Sequence, residues 1–214
     1  MPTPREGYFL ADGTRVPGTT TVIGRFKDAG PLIYWAWMEG KEGRDFRETR
    51  DRAANIGTVA HAMMEAHIRG REFNPAEFDA AMVEAAKKPF AVFLEWAGDT
   101  KLAITDPETR LVSEEYKYGG TLDGCAIRGS RSVADWKTSK GVYSDYLLQL
   151  AAYKHLWDEN HPWDPIEGGA HLVRFDKESG DFAHHYYADL SDEWEAFKRM
   201  IPLYGLMKKI EKRK

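Results

Sequence analysis

Two hydrophobic periods alternate along this chain, and the switches between them divide it into elements. Tyr8-Phe9-Leu10, the turn pair Asp12-Gly13 and Arg15-Val16-Pro17 read as a strand hairpin followed by a turn. Pro31 opens a helix to about Glu42, and a second helix runs from about Phe46 to Arg69. Pro75 begins a third, with Phe78, Met82, Ala85 and Ala86, then Phe90, Phe93, Leu94 and Trp96, at helical spacing around Pro89. Beyond it the period shortens to two and predicts strands at about 101–105, 110–118, 120–127 and 132–137. A helix over about 143–159 follows, then strands at about 168–175 and 181–188, and a last helix from Ser191 onward. Ser191-Asp192-Glu193-Trp194 fits an N-terminal capping pattern with acidic residues in the first turn. Helices, a strand group, a helix and further strands predict an α/β fold with a central mixed sheet flanked by helices. The chain reads as one domain over 1–214. It has a helical portion at 31–97, a sheet core at 101–190, and a C-terminal helix with a basic tail at 191–214.

Polar residues that interrupt the apolar pattern carry the candidate chemistry. In Ser132-Val133-Ala134-Asp135-Trp136-Lys137, alternation puts Asp135 and Lys137 on one strand face with Val133, and Ala134 and Trp136 on the other. Tyr118 to Ile127 reads as another strand, with Asp123 as its central polar residue. If the two runs pair as a hairpin, both aspartates converge on one cation. Magnesium suits carboxylates and water, and His61, in Gly57-Thr58-Val59-Ala60-His61, adds a nitrogen that makes manganese equally comfortable. The peptide carbonyl of Trp136 is a further candidate ligand. Such a cation would polarise a phosphodiester and acidify a bound water, with Lys137 orienting or deprotonating that water. Gln149 and Tyr153, four apart on a helix, share a face.

Each of these residues also has a plainer reading. Asp-x-Lys can be a solvated surface pair, His61 can pack or meet Glu65 one turn on, and Tyr153 can be core. Glu114 or Glu115 could face the site and bind the cation through water, or be an exposed strand charge. Tyr34, Trp35 and Trp37 could stack on unpaired bases, but core packing of an amphipathic helix is the expectation. Arg44, Arg47, Arg50 and Arg52 offer phosphate contacts, although Asp45, Glu48 and Asp51 interleave with them as in a salt-bridged solvent face. The tail Lys208, Lys209, Lys212, Arg213 and Lys214 complements a helix dipole with or without DNA.

Taken in order, His61, Gly120-x-x-Asp123, Asp135-x-Lys137 and Gln149-x-x-x-Tyr153 resemble the RecB-type exonuclease branch of the PD-(D/E)xK nuclease superfamily. The resemblance spans roughly residues 17 to 155, including Pro17-Gly18-Thr19-Thr20-Thr21-Val22-Ile23 and the pair Trp35-Ala36. It implies a restriction-endonuclease-like core and a magnesium- or manganese-dependent deoxyribonuclease acting from DNA ends, in recombination, repair or phage DNA processing. It also implies that His61, Asp123 and Asp135 bind the metal and that Lys137 is catalytic. Gln149 and Tyr153, with Thr138 and Ser139, would support the site and touch DNA. Some members of that branch hold an iron-sulfur cluster with four cysteines; Cys125 alone cannot build one.

The helical portion at 31–97 suggests an arch that admits a single strand and excludes a duplex. No Gly-rich P-loop is present, so a helicase, annealing protein or single-strand-binding protein would act as a separate partner. Two other classes fit the same residues: a sequence- or structure-specific endonuclease on this fold, and a non-catalytic DNA-binding or assembly subunit. The first lacks an added recognition domain. Retention of His61, Asp123, Asp135 and Lys137 together opposes the second.

Composition narrows the setting. A net charge of −4 opposes a protein that coats DNA nonspecifically, yet permits a local basic channel. One cysteine excludes internal disulfides and fits a reducing cytoplasm, and the resemblance implies a bacterial or phage-infected cell. No apolar run approaches a membrane span, and the first seven residues lack a signal-peptide core.

Overall fold

The computed structural model describes residues 7–101, 103–139, 141–176, 179 and 181–213. The chain starts with the short hairpin β1 (Tyr8–Phe9) and β2 (Arg15–Val16), then helices α1 (Thr19–Phe26), α2 (Gly30–Lys41) and α3 (Phe46–Ile68). A single helical turn at Pro75–Glu77 precedes α4 (Ala80–Thr100). Strands β3 (Ala103–Thr105), β4 (Thr109–Ser113), β5 (Tyr118–Leu122), β6 (Gly124–Arg128) and β7 (Ser130–Lys137) follow. The chain closes with α5 (Ser144–Asn160), β8 (Ala170–Phe175), β9 (Phe182–Tyr187) and α6 (Ser191–Glu211). Residues 1–6 at the expected leaderless start, Leu102 in the expected strand at 101–105, and Lys214 in the basic tail lie outside the described residues.

The alternation read from β7 organises the layers. Five strands form a mixed sheet in the order β3-β6-β7-β8-β9; β7 and β8 are parallel and every other pair is antiparallel. Val133, with Cys125, Ala170 and Leu172, packs under α1, α5 and α6. Ala134 and Trp136, with Ala126, Val173 and Phe175, pack under α3 and α4. A central mixed sheet flanked by helices is therefore the observed architecture, as the element order predicts. Local signals explain the helix starts: Asp45 accepts from the Arg47 amide at 2.8 Å, and Asp79 accepts from the Ala81 and Met82 amides.

Several expectations are corrected. Residues 19–26 form a helix, not a turn, because Val22 and Ile23 bury against α5 and α6 and the buried Thr19 hydroxyl donates to the Gly119 carbonyl at 3.0 Å. The third helix begins at Ala80 after a separate turn and passes through Pro89. The expected strand at 110–118 stops at Ser113, and Lys117 in the following turn has a φ of 61°. The run 118–127 is two strands, not one; β5 pairs with β4 in a separate two-stranded sheet, and the chain breaks at Asp123. Ser191 does not cap α6. Asp189 instead accepts from the Ser191 amide and hydroxyl. Tyr34 and Trp37 are exposed, not core, and Trp35 meets Phe46 edge-on.

A chain of ring nitrogens fastens α4 to the sheet. Trp96 Nε1 donates to His184 Nδ1 at 3.2 Å, leaving His184 Nε2 to donate to His171 Nδ1 at 2.9 Å. Burial, and then His184 beside it, pulls His171 down to about 4. The unfolded ring titrates near 6.5, so the stability held by the neutral ring is complete above that value and is lost as pH falls toward 4. Urea unfolding should show this decline, and His171→Phe should flatten it. An unchanged slope in the variant would remove His171 as its cause.

Candidate active site

The break at Asp123 creates the centre of the site. Val133 donates its amide to Gly169, so odd positions of β7 bond toward β8 and even positions face β6. β6 begins at Gly124, opposite Ala134, and the next β6-facing amide is that of Trp136. No β6 backbone remains to accept it, and the Asp123 carboxylate does so through Oδ2 at 3.0 Å. In a strand a residue's N–H and C=O point the same way, so the Trp136 carbonyl faces the same opening. Asp123 Oδ1 lies 3.6 Å from His61 Nδ1 on α3.

A third residue, which periodicity did not suggest, joins them. One ligand atom each from His61, Glu108 and Asp123 lies within 4.8 Å of the others, and Glu108 Oε1 is 4.0 Å from His61 Nδ1. Glu108 ends a tight turn between β3 and β4 and has a φ of 52°, a left-handed conformation that costs a side-chain-bearing residue about 1–2 kcal/mol. Neighbours hold this turn. Arg131 reaches Asp106 at 2.6 Å, Arg69 donates to the Pro107 carbonyl at 2.6 Å, and the Glu108 amide donates to the Asp123 carbonyl at 3.3 Å. Strain kept at a cluster of charged groups is a common mark of a functional position.

Asp135 and Lys137 project beside this cluster on the α5 side of β7. Asp135 is fully buried. The Lys137 ammonium sits 2.8 Å from Asp135 Oδ1 and 2.7 Å from Oδ2 but is aligned for a hydrogen bond only with Oδ1, so Oδ2 is buried without one. Burial pushes the Asp135 carboxyl up to about 7, with Asp123 adding to the rise while Lys137 and His61 oppose it. Burial pulls the Lys137 ammonium down, but Asp135 and Asp123 outweigh it, and the net shift is upward. Lys137, 2.7 Å from Oδ2, offsets part of the cost of burying this oxygen, and the free hydrogen-bonding capacity of Oδ2 could be completed by a metal cation. Two more carboxylates, an imidazole and a carbonyl lie around the same opening, a donor set that fits magnesium or manganese. His61, Glu108, Asp123, Asp135 and the Trp136 carbonyl would hold it.

The walls are set by close approaches. On α3, a Cβ at Gly57 would come within 2.8 Å of Thr138 Oγ1, so only a bare glycine lets α3 lie this near the end of β7. At Gly120 a Cβ would fall 2.7 Å from the Tyr153 ring. Tyr153 and Gln149 are buried on α5, joined by a 2.6 Å bond from Gln149 Nε2 to the tyrosine oxygen. Burial, and then Asp135 and Asp123, raise the Tyr153 hydroxyl well above its usual range. Ala53, Ala54, Gly57 and His61 face Lys137, Thr138, Ser139 and Tyr146 across an open cavity of about 260 Å³.

Other expected contributors stand elsewhere. Glu114 accepts from the Ala11 amide and pairs with Lys117, and the Glu115 amide donates to Glu159; neither glutamate belongs to the His61 cluster. Arg44 pairs with Glu39 and Glu42 and Arg50 with Asp51, so these two serve the salt-bridged face. A second cavity, about 550 Å³, was not foreseen. Arg15, Arg110, Lys208, Thr20, Thr21 and Thr121 line it, with no acidic side chain among its described lining. Tyr8 in its wall bonds Thr121, two residues before Asp123.

No family model and no curated protein matches the chain. Solved structures that resemble this chain in part include a candidate exonuclease from Eubacterium rectale, with a TM-score of 0.49 and 12% identity over 69% of this chain. The chain spans 64% of that protein's length. An alkaline exonuclease from Laribacter hongkongensis, LHK-Exo, has a TM-score of 0.38 and 13% identity, over 76% of this chain and 92% of its own. Its complex with dAMP gives 0.37 and the same identity and coverage. At these scores the likeness carries no weight for the chemistry.

Glu108→Gly removes the carboxylate and relieves the left-handed backbone together. Calorimetric manganese titration is expected to show binding weakened by about tenfold or more, while the urea midpoint without metal stays level or rises. A lower midpoint with unchanged manganese affinity would make Glu108 a structural residue.

Proposed function

We propose that this chain is a divalent-cation-dependent deoxyribonuclease that hydrolyses phosphodiester bonds from DNA ends and prefers single strands. The observation that carries this reading is the buried Asp135–Lys137 pair beside His61, Glu108 and Asp123 at an open cavity. When bound, the cation supplies Lewis-acid polarisation of the phosphate and a more acidic water. The rest belongs to the chain. Lys137, kept protonated by Asp135 and Asp123, orients the attacking water and offsets negative charge as the water oxygen bonds to phosphorus. The attacking water gives up one proton to solvent as the ester bond to the leaving oxygen breaks, that oxygen takes up a proton, and the products are a phosphomonoester and a free hydroxyl. Tyr153 and Gln149 hold the floor beneath Asp135 and keep bulk water from it.

The basic cavity beside Thr121 supports a polyanionic substrate, since Arg15, Arg110, Lys208 and three threonine hydroxyls present donors to phosphate. Among the described residues no helix is long and apolar enough to cross a membrane. Recombination, repair or phage DNA processing is the setting we propose, with duplex unwinding or strand annealing supplied by separate proteins.

End-labelled linear single-stranded and duplex DNA, incubated with magnesium, manganese or chelator, tests the reading. Metal-dependent ladders are expected from the wild type, and Lys137→Ala should cut the rate by about 100-fold or more while still binding manganese. A closed single-stranded circle should resist. Equal digestion of circle and linear form would remove the requirement for an end. DNA binding without hydrolysis in any metal would leave a binding or assembly role.

A further inference from the structure

The cavity between α3 and the end of β7 contains a side chain that the mechanism leaves unused. Tyr146 lines it with His61 and Lys137, from the first turn of α5. His61 faces Asp123 and Glu108, and Lys137 bonds Asp135. Three hydroxyls stand in the described lining, those of Thr138, Ser139 and Tyr146. The Ser139 hydroxyl donates to the Gly141 carbonyl at 2.8 Å, and the Thr138 hydroxyl stands against Gly57 on α3. The Tyr146 hydroxyl has no hydrogen-bond partner among the described residues. Tyrosines buried elsewhere in the fold do bond: Tyr118 donates to the Ala152 carbonyl at 2.8 Å, and Tyr153 takes Gln149.

The ring itself is held in place. It packs partly against the core beneath α1, α5 and α6, and the Tyr143 ring meets it edge-on with centroids 5.5 Å apart. The Tyr146 amide donates to the Tyr143 carbonyl at 3.0 Å. Phenylalanine would satisfy the same packing; what tyrosine adds is the O–H. The Lys137 ammonium lies 5.2 Å from the ring centroid, and the hydroxyl is near enough to act on that ammonium electrostatically. Across the cavity Ala53, Ala54 and Gly57 present neither bulk nor charge.

These features select the partner of the hydroxyl. A phosphodiester that reaches Lys137 must enter this cavity, and no carboxylate is among its described lining. An anionic oxygen drawn to the ammonium meets the phenol beside it. A hydroxyl gains most from a charged acceptor, and a phosphate oxygen is one. A donor already fixed by packing loses little freedom when that bond forms. We propose that the Tyr146 hydroxyl is a substrate-binding group that donates a hydrogen bond to a nonbridging oxygen of the phosphodiester being cleaved. The phenol keeps its proton throughout. It orients the phosphorus toward the water held by Lys137, and its bond strengthens as charge builds on the phosphate oxygen. This inference rests on the nuclease reading and adds to it a contact that the reading does not require.

The test compares wild type with Tyr146→Phe, which keeps the ring. The substrates are oligothymidylates whose linkages are all oxygen, all Rp phosphorothioate or all Sp phosphorothioate. On the oxygen strand in manganese, Tyr146→Phe is expected to lower kcat by about tenfold or more, with an unchanged melting temperature. Sulfur accepts hydrogen bonds poorly, so one stereoisomer should slow wild type but slow Tyr146→Phe far less, while the other slows both alike. Losses that fail to add belong to a direct contact; a ring that only supports the fold would leave the sulfur effects equal in the two proteins. Unchanged kcat in Tyr146→Phe overturns the contact, and so do equal sulfur effects for both isomers, whatever the melting temperature. Anisotropy of the same strands in calcium repeats the comparison as affinity. If wild type hydrolyses no strand in any metal while the isomer-specific difference persists in binding, the nuclease reading sinks and the contact stands. If that difference is absent as well, both fall.

Discussion

Desolvating a carboxylate on the central strand costs several kcal/mol, and the surroundings of Asp135 are arranged around that cost. Lys137 offsets part of it from the same strand face, two residues on. The opposite face of β7 is closed by Trp136 against Phe93 and Phe175, leaving the charged pair no room to turn into the core. Tyr153 and Gln149, bonded to each other, are buried on α5. One Asp135 oxygen still lacks a hydrogen bond, although the Lys137 ammonium lies 2.7 Å from it. Groups held this rigidly by packing need little reorganisation when charge develops beside them, which is the property electrostatic catalysis requires.

Much of the placement was legible because it follows from periodicity. Alternation along 132–137 put Asp135 and Lys137 on one face and Trp136 on the other, and the two core clusters are divided along that line. Four-residue spacing put Gln149 and Tyr153 on one face, where they bond each other. Glu108 was invisible for a physical reason. Its position depends on a left-handed backbone at a residue with a side chain, held by Arg131 and Arg69 from distant segments, and no local pattern encodes that. The same limit hid α1, whose three threonines read as strand or turn until Val22 and Ile23 find a core to bury against. Helix α2 failed in the other direction. Its composition reads as core, yet Leu32, Ile33, Tyr34 and Trp37 stay exposed, and burial depends on neighbours that local sequence does not show.

The split of the run 118–127 reorganises how the sheets relate. The small sheet of β4 and β5 is an insert between β3 and β6 of the main sheet. Tyr8 packs on Gly119 and bonds Thr121, so the small sheet also forms a wall of the basic cavity.

The chain crosses between the main sheet and the small one twice, at 106–108 and at 123, and each crossing carries a carboxylate, Glu108 in the first and Asp123 in the second. The candidate cation ligands are thus the two stitches of a seam. The small sheet cannot shift freely, since Tyr118 and Leu122 on β5 are buried in the core and the Tyr118 hydroxyl donates to the Ala152 carbonyl on α5. The position of the small sheet and the spacing of Glu108 and Asp123 are therefore set by the same core contacts.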